Sequence, residues 1–383
     1  MMRKIMLLLY LTAVFLILPG CWSKHELTEL GFVMGVALDK GKNGKIEMVT
    51  QIYRPSSVET GKSTAGGVSS INIKTSDDTV NEAIRDIPIH LGRKAQWSHL
   101  RVIIVSDQLA KSVHLGKLLD LFYRDHEPRS SVSLMISKGP AAKLLEKKPL
   151  IEQTSAQQFL RTAESGHRDS AKTAHTTLLD FVLQLKSANN DAIVSYVYET
   201  KKEKDVISSA GLALLKNGRM KTAMPANKVE GLNMLRNEYK SGIVEFPCKE
   251  GRKEMETTEI LDLHTKVKPA LKDGKVTAVS VAVQGDISIG ELKCTDIKTV
   301  EDEAAFLRKA EKRMKEQIQE AVTFVQTNKI DVIGIGNGIY RKHPGAWAKM
   351  KKSWDKQFSE IPFQIQVKLR LITTGTNIGK PAM

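Results

Sequence analysis

The sequence predicts a mixed α/β (α+β) chain of two or three domains, each a mixed or antiparallel sheet flanked by helices. Three observations carry this expectation. In the first half, short β-branched runs alternate with helical stretches. In the second half, strand-like segments separated by turn chemistry precede one long amphipathic helix. The apolar share of 41% and charged share of 26% are those of an ordinary globular protein, and 383 residues suffice for more than one domain.

The N-terminus comes first in the chain and in information. Arg3 and Lys4 precede an uncharged run from Ile5 to Leu18, closed by Pro19-Gly20-Cys21. A basic start, an apolar run and a small residue before a cysteine form a lipoprotein-type signal. The run is about 14 residues, short of the ~20 that a helix needs to span a bilayer. Residues 1–20 are therefore expected to be cleaved, with Cys21 carrying an S-diacylglycerol and an N-acyl chain. Two or more acyl chains suffice for stable attachment, so the body is expected outside the cytoplasm, tethered to a membrane.

The formal net charge is +15, of which Arg3 and Lys4 contribute two. The excess in the mature chain fits an anionic membrane surface or a solvated basic face; an exported lipoprotein does not point to nucleic acid. Of three cysteines, Cys248 and Cys294 remain after Cys21. Outside the cytoplasm they can form a disulfide, or stay as two separate buried thiols.

Gly31 to Asp39 is apolar enough for a buried strand, and Asp39 to Lys45 supplies turn residues before a second strand, Ile46 to Tyr53. Arg54 to Ser70 reads as a loop. Ser76-Asp77-Asp78 can cap a helix running towards Ile87 and ending before Pro88. Arg101 to Ser106 reads as a central strand, Leu115 to Tyr123 as a helix, Ser131 to Ser137 as a strand. Pro140 opens a helix through Glu146.

The charged stretch Thr200 to Asp205 is the expected boundary. It separates an N-terminal domain, 21–203, with room for a further subdomain, from a C-terminal domain, 204–383. Beyond it, Ser208 to Leu215, Gly242 to Phe246, Thr257 to Lys268 and Lys275 to Gln284 read as an antiparallel meander, with Asp273-Gly274 as a tight turn. Thr299 to Gln326 is the clearest helix. Leu307, Ala310, Met314, Ile318, Ala321, Val322 and Val325 share one face, and Glu301, Asp302 and Glu303 sit at its positive end. Phe363 to Leu371 alternates apolar and polar as a half-buried strand.

Catalytic and cofactor motifs are not found. Gly61-Lys62-Ser63-Thr64 lacks the glycine five residues earlier that a phosphate loop needs. Gly334, Gly336 and Gly338 lack a completed dinucleotide fingerprint, and read as a turn with close backbone packing. His167 and His175, eight apart on one expected helix, have no third ligand at metal spacing, and no Gly-x-Ser-x-Gly elbow occurs. Arg341 to Lys356 does stand out, with six basic residues, Asp355, Trp347 and Trp354. On a helix starting after Pro344 the two tryptophans share a face. They form either a core pair backed by a solvated basic surface or, with Lys351 and Lys352, a docking face for a membrane or an acidic partner.

Taken in order, these segments resemble the Ger(x)C family, the lipoprotein C-subunits of nutrient germinant receptors in spore-forming bacteria. The resemblance runs through Cys21-Trp22, Glu26 to Asp39, Thr79 to Leu91, Ser98 to Ser106, Leu118 to Arg129 and Val132 to Leu145. It continues in Gly211 to Leu215, Asp331 to Gly336, His343 to Trp347, Trp354 and the closing strand. It implies a non-enzymatic receptor subunit on the outer face of the spore inner membrane, without a cofactor, assembling with two integral membrane subunits. From the residues alone, a substrate-binding lipoprotein of a membrane transporter would share the tether and a lobed body, and a secreted hydrolase is a third class.

Overall fold

In the computed structural model, which describes residues 2–6, 10, 26–54, 69–200, 206–249, 251 and 253–373, a nine-stranded and a four-stranded sheet organise the chain. The first hairpin joins β1 (Leu30–Lys40) to β2 (Ile46–Tyr53). Asn43 and Gly44 in its turn lie at φ 54° and 83°, the left-handed region that these two residue types reach at least cost. Most of the loop expected at Arg54–Ser70, including Gly61 to Thr64, lies outside the described residues. It leads to β3 (Ser70–Asp77), which pairs antiparallel with β2. That strand corrects the expected helix cap at Ser76 to Asp78. The cap is Thr79, whose hydroxyl accepts the Glu82 N–H at the start of α1 (Val80–Arg85). That helix ends before Pro88, as expected, and Pro88 sits in the first turn of the next one, Ile87–Leu91.

β4 (Lys94–Gln96) pairs with the start of β1. β5 (Val102–Ser106) and β6 (Ser133–Ser137) are buried at every residue, as central parallel strands must be. β7 (Asp191–Glu199), β8 (Ile207–Lys216) and β9 (Arg219–Met224) complete the order β3-β2-β1-β5-β6-β7-β8-β9. β1, β5, β6 and β7 run parallel in the middle, with antiparallel strands on either side. On one sheet face lie Val36, Leu38, Ile103 and Val105. On the other lie Ala37, Val102 and Ile104, beneath helix Ala141–Leu145 and α2 (Ser155–Ser170). Asp39, assigned from sequence to a turn, is nearly buried, and its two carboxylate oxygens accept the N–H groups of Ala141 and Ala142, each at 2.8 Å. The end of β1 thereby fixes the start of that helix.

Of the expected boundary, residues 201–205 lie outside the described residues. β7 and β8 on either side of it pair from Asp191↔Lys216 to Glu199↔Ile207. One sheet therefore continues across it.

α3 (Ala226–Leu235) is buried at every position from Val229 to Leu235. A helix covered all round lies between layers, here between β8 and the long helix of the second half. The second sheet comprises β10 (Gly242–Pro247), β11 (Met255–Lys272), β12 (Lys275–Glu291) and β13 (Phe363–Thr373). The first three form the expected meander less its first strand, since Ser208 to Leu215 belongs to β8 of the large sheet. Asp273 and Gly274 lie at φ 51° and 72° in the turn, and β13 joins β12 in parallel. α4 (Val300–Asn328) is capped by reciprocal hydrogen bonds between Thr299 and Asp302. Its buried stripe is the expected one except that Phe306 replaces Leu307 at the first position and Gln317 joins it. The stripe packs in one core with Leu212 and Leu214 of β8 and Phe246 of β10. This core spans both halves of the chain.

The tightest approach in that core is at Gly231 of α3, where an added Cβ would stand 2.1 Å from the Gln317 carbonyl oxygen. Gly231→Ala is expected to lower stability by about 2 kcal/mol or more, measured as a lower urea midpoint. Gly345→Ala, with nothing within 4 Å of the new methyl, should change it by less than ~0.5 kcal/mol.

Candidate functional site at the seam between the two halves

After α4 the chain turns sharply, with Lys329 at φ 57° and Gly334 at φ 88°, into α5 (Ile335–Lys342), α6 (Pro344–Met350) and α7 (Trp354–Glu360). Asp331 organises this turn. Its Oδ1 accepts the N–H groups of Gly334 and Ile335 at 2.9 and 3.1 Å, and its Oδ2 that of Gly336 at 2.7 Å. The Trp354 indole Nε1 also donates to Oδ2, at 3.1 Å. Of the glycine-alternating run only Gly334 lies in the turn; Gly336 and Gly338 are inside α5, Gly336 closely packed and Gly338 with nothing within 4 Å of an added Cβ. A Cβ on Gly336 would stand 2.8 Å from the Trp354 ring nitrogen and 2.9 Å from the Trp347 ring.

From its backbone, Asp331 reaches the other half. Its N–H donates to Asp191 Oδ2 at the start of β7, at 2.7 Å, and its carbonyl accepts from Asn189 Nδ2 at 2.7 Å. Lys216 of β8 stands 3.4 Å from Asp191 Oδ1 and 2.6 Å from Asp355 Oδ1, and donates to the Lys329 carbonyl at 3.0 Å. Lys221 of β9 adds a hydrogen bond to the Asn328 carbonyl at 3.0 Å. Burial pushes the Asp191 carboxyl up to about 7, against the opposing pull of Lys216. Burial likewise pushes Asp331 up to about 6, against its four hydrogen bonds. The seam therefore holds two buried carboxylates with Lys216 beside them, a structural arrangement in which the described residues place no nucleophile.

The sequence-predicted site residues are distributed as follows. Cys21 lies outside the described residues; among those described, no helix is long and apolar enough to cross a membrane. Trp347 and Trp354 are 5% and 2% exposed and meet edge to face, with ring centroids 5.3 Å apart. This corrects the docking-face reading, because the rings are core and only Lys351 and Lys352 of that set are exposed. The two tryptophans also stand on separate helices, since a short turn at Lys351–Ser353 interrupts the expected single one. His167 and His175 do not share a helix either: α2 ends at Ser170, and Ala171 follows at φ 52°.

Cys248 and Cys294 are joined as a disulfide across 46 residues. Beside it, Glu256 Oε1 accepts the N–H groups of Lys293, Cys294 and Thr295, and Oε2 accepts the Thr295 hydroxyl. Burial pushes this carboxyl up, yet these hydrogen bonds outweigh it and hold it below the usual range. Cys248, Glu256 and Cys294 form the cluster closest to metal-ligand spacing among the described residues, but the sulfur–sulfur bond consumes both thiolates a metal would need. Sequence reasoning missed Asp191, Asp331 and Glu256 as a class, because a buried carboxylate serving backbone N–H groups has no local signature.

Two outcomes follow for stability. A carboxyl whose pKa is raised by folding binds its proton more tightly in the native state. Its contribution is present at low pH and is lost as pH rises from about 4 towards 7. In urea unfolding across that window, Asp191→Asn is expected to flatten the loss of stability with pH by up to about 1.4 kcal/mol per pH unit. Replacing Cys248 and Cys294 together by Ser should cost about 4 kcal/mol by loop entropy, read as the gap between urea midpoints of variant and oxidised parent.

Residues 23–198 match the family described as "Spore germination protein N-terminal domain", and residues 210–375 that described as "Spore germination B3/ GerAC like, C-terminal". The chain is 26% identical to spore germination protein KC of Bacillus subtilis, over 98% of this chain and 97% of that relative. It is also 26% identical to spore germination protein B3 of the same organism, over 96% and 97%. The crystal structure of the GerBC protein superposes with a TM-score of 0.58 at 20% identity, covering 88% of this chain and 97% of that one, and so shares the fold. With one family domain after the other matched along almost all of its length, the chain belongs to the Ger(x)C family of spore germination proteins.

Proposed function

We propose that this chain is the lipid-anchored, non-enzymatic C-subunit of a spore nutrient germinant receptor. It is held by Cys21 on the outer face of the spore inner membrane and assembles there with two integral membrane subunits. The observation that carries this reading is the end-to-end likeness to spore germination proteins, which spans both sheets and not one borrowed domain. The signal ending at Gly20-Cys21 supplies the anchor, and the core shared by both halves supplies a body that docks as one piece.

A tether of this kind confines the body to a thin layer beside the bilayer, which raises its effective concentration for embedded partners without any new contact. The subunit then acts by assembly and not by turnover.

The test is Cys21→Ala. The protein from membranes should show loss of residues 1–20 and a diacylglycerol adduct by intact mass, and the variant neither. The variant should fold as judged by circular dichroism, yet reduce germination triggered by the cognate nutrient roughly tenfold or more. Germination by a route that bypasses nutrient receptors should be unchanged. Equal loss by both routes, or a water-soluble unacylated native form, would overturn the reading.

A further inference from the structure

A group of unpaired cations surrounds the β11–β12 turn and the far end of α5. Between β11 and α5 lies a groove of about 490 Å³. Its floor is Val267, Leu271, Ile335 and Ile339, its rim includes Lys268, Arg341 and Lys342, and no acidic residue lines it. At the turn Lys272 and Lys275 are directly opposed. Lys349 of α6 reaches the same turn, its Cδ 4.0 Å from where a Cβ on Gly274 would stand.

Like charges gathered this way repel one another and weaken the folded state. Some other surface cations are paired, as Arg370 is with Asp286 and Lys74 with Glu47, and single ones such as Lys40 stand alone. What sets this group apart is that six gather around one turn and one groove. Lys268, Lys272, Lys275, Arg341, Lys342 and Lys349 are all exposed and have no side-chain partner among the described residues. Asp273 alone interrupts them along the turn.

The position of the patch points to its partner. β1, β5, β6 and β7 run parallel, and their registers (Gly35↔Val102↔Ser133, then Met135↔Ser195) place Asp191 level with Val33, in the first half of β1. Asp331 sits on Asp191 just after the end of α4, and α4 runs alongside β11 in the same sense. Glu311 holds Leu369, level with Leu263, and Gln326 holds Ile361, two residues before Phe363 at the level of Pro269. The patch therefore lies at the end of the large sheet where the chain enters β1 at Leu30. Eight residues lie between Cys21 and Leu30, a reach of at most roughly 30 Å.

We propose that this patch docks on anionic phospholipid headgroups, a second membrane contact beside the lipid chain at Cys21. The proposal rests on the anchored reading above. Lysines are compact, hydrated point charges suited to a fluid anionic surface, and each one near such a surface strengthens binding about fivefold. The alternative occupant, an acidic segment of a partner protein, does not account for the patch facing the side on which the tether enters.

The experiment places the full-length acylated protein in vesicles of neutral phosphatidylcholine, or of the same lipid with about 30% phosphatidylglycerol. Lysine reactivity towards a water-soluble acylating reagent is then read by peptide mass. Lys268, Lys272, Lys275, Lys342 and Lys349 should react about fivefold or more slowly on the anionic vesicles, and recover in about 0.5 M salt. Lys40, at the opposite end of β1, should react equally on both. The combined variant Lys268→Glu, Lys272→Glu, Lys275→Glu should abolish the protection of Lys342 and Lys349.

Equal patch reactivity on the two vesicles overturns the proposal, as does protection that appears only when the integral membrane subunits are added, which would assign the patch to an acidic protein segment. Should the protein stay with neither vesicle, the anchor reading fails instead. The Cys21→Ala chain added to anionic vesicles then decides docking by itself: salt-sensitive protection of the patch supports it, and none overturns it.

Discussion

The Asp331 carboxylate is the interaction on which the two halves depend. It satisfies three backbone N–H groups that would otherwise be orphaned at the start of α5, and it holds the Trp354 indole in the core. Its own N–H ties the same residue to Asp191 in the other sheet. Removing the carboxylate would leave several donors buried without acceptors, each costing about 1–3 kcal/mol. The same device recurs on a smaller scale. Asp39 anchors the helix at Ala141, and Glu256 gathers the loop that carries Cys294. Three elements are thus positioned by carboxylates reaching across the chain to backbone.

How much of this was legible depended on whether a segment's burial left a period in its residues. β1, β2, β5, β8, β13 and α4 announce themselves because an apolar face or a run of Val, Ile and Leu is their whole reason for existing. β3 did not, since its SINIKTSD is an edge strand with little to bury. α3 did not either: a helix covered on all sides carries no amphipathic stripe, and its Glu230 and Asn233 are buried by partners far away in sequence. The tryptophans show a different failure. Spacing by seven fixes a shared face only while a helix is continuous, and the break at Lys351–Ser353 removes that premise. The seam was invisible for a third reason, because Asp191 and Asp331 are 140 residues apart and nothing local marks either one.

The shared core changes what a domain boundary means in this chain. β8 and β9 hydrogen-bond into the large sheet while their inner face packs on α3 and, through it, on α4. A strain applied to the four-stranded sheet therefore has packed side chains to travel through into the nine-stranded one. For a subunit whose proposed role is assembly, binding at one half would be felt at the other.

The parallel pairing of β12 with β13 has a consequence for folding. β13 begins at Phe363, and its partner in register is Val279, so this edge stays vacant until the chain through Phe363 and beyond is present where the body folds. Over that interval β12 offers a free row of backbone donors and acceptors, and α4 has only part of its apolar stripe covered. Non-local contacts of this kind form slowly. The eleven residues of β13 therefore act as a closing stave: a chain cut short before them has a body whose large sheet is complete and whose small one is adhesive.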